Sequence, residues 1–283
     1  MIDDFDRHLE DALLAHADPD TTGAPVNLVE AMRYSLLLPG KRIRPRLTLA
    51  TSEMVGLSPA AALPAAMALE MIHCFTLIHD DLPCMDNADT RRGQPSCHKK
   101  FGEALALLAG DGLMALGFKT FFSTAPHVQP MGFSAAVNRF ADAVGPVGVT
   151  GGQAMEMLIK PKDGLAPLRL MHAAKTGALF KAALLVPKDL AEVAAEGDGG
   201  QSIIAFADAL GSAFQVADDL EDAAHETAKE RGNNIFAHGK REDILASARA
   251  DLDSTTRHLE EIWGAPSAGV LAIAAEVSAR LKG

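Results

Sequence analysis

Apolar residues recur at helical spacing through almost the whole of this 283-residue chain, and no run alternates apolar and polar as a half-buried strand would. The periodicity predicts helices over residues 3–16, 26–38, 43–54, 59–81, 102–124, 133–144, 146–159, 165–186, 200–227, 239–262 and 267–281. Turn chemistry separates them, as in "DPDTTGAP", "LLPGKR", "GLSPAA", "TAPHVQP", "IKPKDG", "EGDGG" and "WGAPSAG". None of these breaks is long or low in complexity, and no short repeat is present. One all-α domain, residues 1–283, is therefore expected, with "EGDGG" near 190–200 the one place where it could divide. The palette agrees: hydrophobic residues make up 48% of the chain but aromatic ones only 5%, which favours helix packing over β-branched strands.

Charge narrows the partners. A formal net charge of −11 argues against nucleic acid and anionic membrane surfaces, both of which select basic proteins. An anionic ligand would have to be met by local basic clusters or by metal. Cys74, Cys84 and Cys97 have neither an even count nor zinc spacing, so they read as reduced thiols. The start, "MIDDFDRHLEDALLAH", is acidic and amphipathic, unlike a secretory signal. Apolar stretches are interrupted by charge or proline before membrane-spanning length, so no membrane span and a cytoplasmic location are expected.

Two acidic clusters stand out, each at the end of an apolar helix. The first, "LIHDDLPCMDNADTRRG", holds Asp80, Asp81, Asp86 and Asp89. Leu69, His73, Thr76 and Asp80 fall near one helical face, and Pro83 should end the helix and let Asp86 fold back toward Asp80 and Asp81. The second, "AFQVADDLEDAAHE", places Asp218 and Asp222 one turn apart, with Asp219 beside them and Gln215 one turn earlier. One such cluster is ordinarily a solvated helix end. Two, half a chain apart, would form a set of hard oxygen ligands if they faced each other across a cavity. Carboxylates combined with phosphate oxygens and water suit Mg²⁺. Basic groups supply the complement. Lys41, Arg42, Arg44 and Arg46 follow a Pro-Gly turn near a helix start, Arg91 and Arg92 follow the first cluster, and Lys175–Thr176–Gly177 interrupts an apolar helix. Gly177 reads equally well as a packing contact. "GPVGVTGGQ" lacks the Lys, spacing and preceding strand of a phosphate-binding loop and reads as close helix packing.

These pieces resemble the trans-isoprenyl diphosphate synthases, the polyprenyl synthetases of isoprenoid biosynthesis. The similarity rests on "GKRIRP", "ALEMIHCFTLIHDDLPCMDN", "RRGQPSCHKKFGEALALLAGD", "GGQAMEM", "KTGALFKAA" and "FQVADDLED", in family order from about residue 30 to 222. The resemblance implies a helical bundle around a deep apolar tunnel, and a homodimer. It implies that Asp80, Asp81, Asp86, Asp218, Asp219 and Asp222 bind Mg²⁺ holding an allylic diphosphate, dimethylallyl or geranyl. Arg91, Lys175, Thr176 and Gln215 match residues around that substrate, and Lys41, Arg44, His73 and Arg92 match the isopentenyl diphosphate site. His73 is expected there as a hydrogen-bond donor rather than a base, because the departing diphosphate takes the proton in the family's mechanism.

In the family, bulk at the fifth residue before the first aspartate limits product length. That residue is Phe75, about 7–8 Å back along the helix from Asp80. An aromatic ring there implies farnesyl diphosphate, with geranylgeranyl diphosphate as the alternative and Leu107, Leu108 or Met114 as another possible floor. Ala88 and Thr90 interrupt the acidic run, Glu221 stands where the family carries an apolar residue, and Lys229, Arg231 or Lys240 would have to serve as the closing cation after the second motif. A class I terpene cyclase and a non-catalytic subunit are the rival readings. The retained "GKRIRP" and both complete aspartate motifs count against them.

Overall fold

The computed structural model describes residues 2–159, 164–222 and 234–282. Helices dominate them: α1 (Ile2–Ala17), α2 (Pro19–Thr22), α3 (Val26–Leu36), α4 (Ile43–Met54), α5 (Pro59–Asp80), α6 (Cys97–Phe101), α7 (Glu103–Phe122), α8 (Pro130–Val144), α9 (Val149–Leu158), α10 (Leu165–His172), α11 (Ala178–Leu190), α12 (Asp198–Asp222), α13 (Arg241–Trp263) and α14 (Ala268–Arg280). The all-α expectation holds. Contacts group the chain into two compact units, Met1–Pro45 with Ala60–His127 and Arg46–Pro59 with Val128–Gly283. The division is not at "EGDGG", which lies inside the second unit.

In the first unit α5 is apolar on every side, and 13 of its 22 residues are buried. Pro64 does not stop it. Here the sequence argument about membrane-spanning length fails: α5, and Glu103–His127, are each long and apolar enough to cross a bilayer. For α5, 72% of the most apolar window is buried inside the protein, as in a core helix. Its own Leu69 and Ile72, and Leu9, Leu13, Leu36 and Leu113 of the same unit, are fully buried. A two-residue hairpin that periodicity could not show, β1 (Thr90–Arg91) and β2 (Gln94–Pro95), follows the first aspartate cluster. Its turn residues Arg92 and Gly93 both have positive φ, 53° and 76°, as tight primed turns require.

In the second unit α12 packs against α11, α13 and α14, and α11 packs on α8. Phe140, Phe180 and Phe206 are fully buried, and the Phe180 and Phe214 rings lie 4.3 Å apart. Between α10 and α11 the helix widens into a π-turn, Ala173–Gly177, which carries Lys175 and Thr176. Such insertions raise side chains off the regular helical face and are frequent at functional sites. Gly152 of α9 lies so close to the Lys175 backbone that a Cβ there would collide with it. "GVTGGQ" is thus close packing, as its composition suggested.

Candidate functional site

Each unit carries one aspartate cluster and its own basic residues. In the first, α5 ends at Asp80, and the chain turns so that the Asp86 N–H donates to the Asp80 carbonyl at 2.9 Å. Pro83 therefore does what its position suggested. Adjacent helical residues point about 100° apart, so Asp80 and Asp81 cannot face the same way. Asp81 turns inward and is only 2% exposed, while Asp80 is half-buried and Asp86 exposed. The hairpin brings Arg91 back onto Asp81, with Nη2 to Oδ1 at 2.5 Å and Nε to Oδ1 and Oδ2 at 3.1 and 3.2 Å. Burial pulls the Arg91 guanidinium downward, but Asp81, with Asp80 and Asp86 behind it, moves the net shift upward. Asp89 leaves the cluster for Lys99, 2.8 Å away.

The basic side of this unit divides into two kinds. Arg42 is 3% exposed, bonded to Asp6 at 2.8 Å, to Glu70 at 2.5 Å and to the carbonyls of Leu36 and Leu38. Arg44 reaches His73 Nε2 at 3.3 Å, Lys41 is exposed, and Arg92 donates to the Leu38 carbonyl at 3.1 Å. In the second unit, Arg46 is held by Glu276. Of the four cations in "KRIRPR", Arg42 and Arg46 are thus committed to ion pairs that hold helices in place.

Burial, followed by the charges of Arg44, Arg92, Arg42 and Arg91, holds His73 well below its ordinary value. The imidazole is neutral, and because guanidinium nitrogens only donate, Nε2 accepts from Arg44. A depressed folded-state pKa means the unfolded chain takes up a proton first, so stability falls as pH drops below about 6.5, by up to about 1.4 kcal/mol per pH unit from this group. His73→Gln should flatten that part of the melting-temperature profile between pH 7.5 and 5.5; parallel profiles would show that His73 is not the group responsible.

Arg92 rests on bare backbone. A Cβ on Gly40 would stand 2.7 Å from Arg92 Nη1 and 2.8 Å from Cζ. Only the flexible end of a side chain is in the way, so Gly40→Ala should barely change melting temperature. It should raise roughly tenfold the KM of an anionic substrate held by Arg92, the scale of one charged hydrogen bond. An unchanged KM would detach Arg92 from that substrate.

In the second unit the same alternation appears. Asp219 is buried and satisfied: Gln215 donates to Oδ1 at 2.6 Å, the Ile235 N–H to Oδ2 at 2.8 Å, and Asn234 to the Asp219 carbonyl. Asp218 is half-buried and held by Arg280 at 2.5 Å. Lys175 is paired with Glu156, and Thr176 is half-buried beside it in the π-turn. The side chain of Asp222, and Lys229 and Arg231, lie outside the described residues; Lys240 is exposed at the start of α13. Among the described residues no three acidic, imidazole or thiol side chains converge as a metal cage. Mg²⁺ takes one or two carboxylates and completes its shell with water and phosphate oxygens. Asp80 and Asp86 carry such oxygens on one turn, and Asp218 carries them on α12. Partners that the motifs did not reveal are Glu70, Glu156 and Arg280. Glu70 had a signal, since a lone acid inside "MALEMIH" demands a buried cation.

The class so defined is an all-α protein with one carboxylate–cation cluster in each unit. The fold agrees with solved structures. An FPP/GFPP synthase from Zymomonas mobilis superposes with a TM-score of 0.81 at 32% identity, covering 98% of this chain and all of that one. A geranyltransferase from Legionella pneumophila gives 0.84 at 29% identity, covering 99% and 96%. Residues 25–275 match the family described as Polyprenyl synthetase, and the chain belongs to that family. Geranylgeranyl pyrophosphate synthase 11, chloroplastic, of Arabidopsis thaliana is 45% identical over 226 residues, 75% of this chain and 61% of its own. The chain spans about three-fifths of the length of the curated relatives it matches.

Proposed function

We propose that the chain is a Mg²⁺-dependent trans-prenyltransferase that condenses isopentenyl diphosphate with an allylic diphosphate, to geranylgeranyl diphosphate. The observation that carries the reading is the grouping of Arg44, neutral His73 and Arg92 in the same unit as the Arg91-clamped aspartate turn, in a polyprenyl synthetase family chain. The relatives' names support the C20 product over the farnesyl diphosphate that Phe75 implied. Bound Mg²⁺ would supply neutralisation of charge on the departing diphosphate.

The chain's own residues do the rest. In the first unit Asp80 and Asp86 offer carboxylate oxygens while Asp81, already hydrogen-bonded, fixes Arg91; in the second unit Asp218 offers them while Asp219 fixes the segment at Ile235. In the first unit Arg91 is the donor for the allylic diphosphate, and in the second unit Lys175 and Thr176 are donors of the same kind. Lys41, Arg44 and Arg92 hold the second diphosphate, and His73 orients Arg44. The allylic C–O bond breaks, the isopentenyl double bond forms the new C–C bond, and the proton lost from the adduct passes to the released diphosphate. No protein base is required. A homodimer belongs to the same proposal.

The test is turnover of purified protein with Mg²⁺, isopentenyl diphosphate and each allylic starter, with product chains measured. C20 chains are expected. A cyclised product without isopentenyl consumption would make it a cyclase, and turnover only with an added partner would make it a subunit. One observation favours the farnesyl reading: Phe75 is buried, with its ring edge-on to His79 at 5.5 Å. Phe75→Ala should lengthen the product by at least one C5 unit, and an unchanged product would remove Phe75 as the floor.

A further inference from the structure

The last turn of α14 carries Arg280, a residue that no motif marks. Its Nη2 donates to Asp218 Oδ1 at 2.5 Å and its Nε to Glu221 Oε1 at 2.7 Å. The guanidinium lies 4.7 Å from the centre of the Phe214 ring, and the side chain is only 15% exposed. Asp218 and Glu221 are three residues apart on α12 and so share a face. One planar fork therefore spans both carboxylates and is stacked in place by an aromatic ring.

We propose that Arg280 is a positioning residue for the second aspartate cluster, holding the Asp218 carboxylate in one orientation for a divalent cation. The inference rests on the metal-binding role given to Asp218 above. Asp218 is 35% exposed, and the Arg280 fork narrows the rotamers open to its carboxylate. A bare guanidinium beside a metal site would repel the metal. Glu221 removes that objection, because it matches the charge of Arg280 and leaves the hydrogen bond to Asp218 without net positive charge around it. This gives Glu221, which departs from the family pattern, a use: it is the second arm of the clamp. Ligand carboxylates held in this way lose about 10–100-fold in metal affinity when the outer partner is removed.

The experiment measures Mn²⁺ occupancy by electron paramagnetic resonance on the full chain with saturating inorganic diphosphate, so no turnover is involved. Arg280→Gln should raise the Mn²⁺ concentration for half-occupancy roughly tenfold. Glu221→Gln, which keeps the Asp218 bond, should raise it less, about threefold. If Arg280→Gln does not fold, Arg280→Lys is read instead and should also fall short of wild-type affinity, because an ammonium cannot bridge both carboxylates. Wild-type or tighter occupancy in the Arg280 variant overturns the inference. Asp218→Asn separates the two layers. If it loses Mn²⁺ while Arg280→Gln keeps it, this inference alone fails. If it keeps Mn²⁺, the metal reading of Asp218 falls first.

Discussion

Replacing Asp80 with Asn should lower turnover about 10²–10³-fold while leaving the melting temperature within a few degrees of wild type. The backbone geometry that makes the turn does not depend on the charge lost, because it is the Asp80 carbonyl that receives the Asp86 N–H. The side chain is half-buried at the end of α5, where water can solvate the amide. Asp81→Asn should behave differently. That carboxylate is buried under the Arg91 fork, so the amide would leave a partly buried guanidinium facing a neutral group. Both turnover and stability should fall, the latter by about 1.5–3 kcal/mol, as for hydrogen bonds to charged groups. Steady-state kinetics at saturating Mg²⁺, paired with calorimetry, separates the two variants. If Asp80→Asn kept activity within tenfold of wild type, the first cluster would not be handling the leaving group.

The contrast between Asp80 and Asp81 shows how far the sequence could be read. Helix identity was legible because a 3.6-residue period is imposed by burial on one face, and α4 appears at Ile43–Met54, where the period placed it. Boundaries set by side-chain contacts were less so. The helix expected over 102–124 is α7, Glu103–Phe122, but the short α6 before it, ended by Gly102 with φ 87°, gave no periodic signal. The predicted 165–186 helix runs on through Pro187 to Leu190 and contains the π-turn that lifts Lys175. The motifs supplied six aspartates as equivalent ligands. Geometry separates those described: 80 and 218 are half-buried and 86 exposed, whereas 81 and 219 are buried anchors. The separation follows from the 100° step between neighbours, but which of each pair points inward depends on where Arg91 and Ile235 arrive. Arg280, about sixty residues beyond Asp218, left no local pattern at all.

The largest stability effect is expected far from the reacting groups, at Arg42. Its side chain is 1% exposed and that of Glu70 is 3%, with 2.5 Å between Nη1 and Oε1. Burial lowers the Arg42 guanidinium, but Glu70 and Asp6 outweigh it and the net shift is upward. Arg42→Met keeps the length of the side chain but strands Glu70 in the core and removes the donors to Leu36 and Leu38. Breaking one side of a buried pair costs about 3–5 kcal/mol, a large part of the 5–15 kcal/mol that holds a domain together. Chemical denaturation should show the midpoint falling accordingly. The double variant Arg42→Met with Glu70→Met should recover much of the loss, because two apolar side chains leave no buried charge. If it recovers nothing, the two carbonyl bonds and Asp6 were the larger part of what Arg42 contributes. The same change reaches the substrate. Arg92 Nη2 already lies 4.0 Å from the Glu70 oxygen that Arg42 uses. With Arg42 gone, Arg92 is the nearest remaining cation and should be drawn off the Gly40 shelf toward Glu70. The single variant should therefore raise the KM for isopentenyl diphosphate even where it is still folded, and the double variant should restore it. A core ion pair and the proposed substrate contact of Arg92 are in this way coupled through one carboxylate.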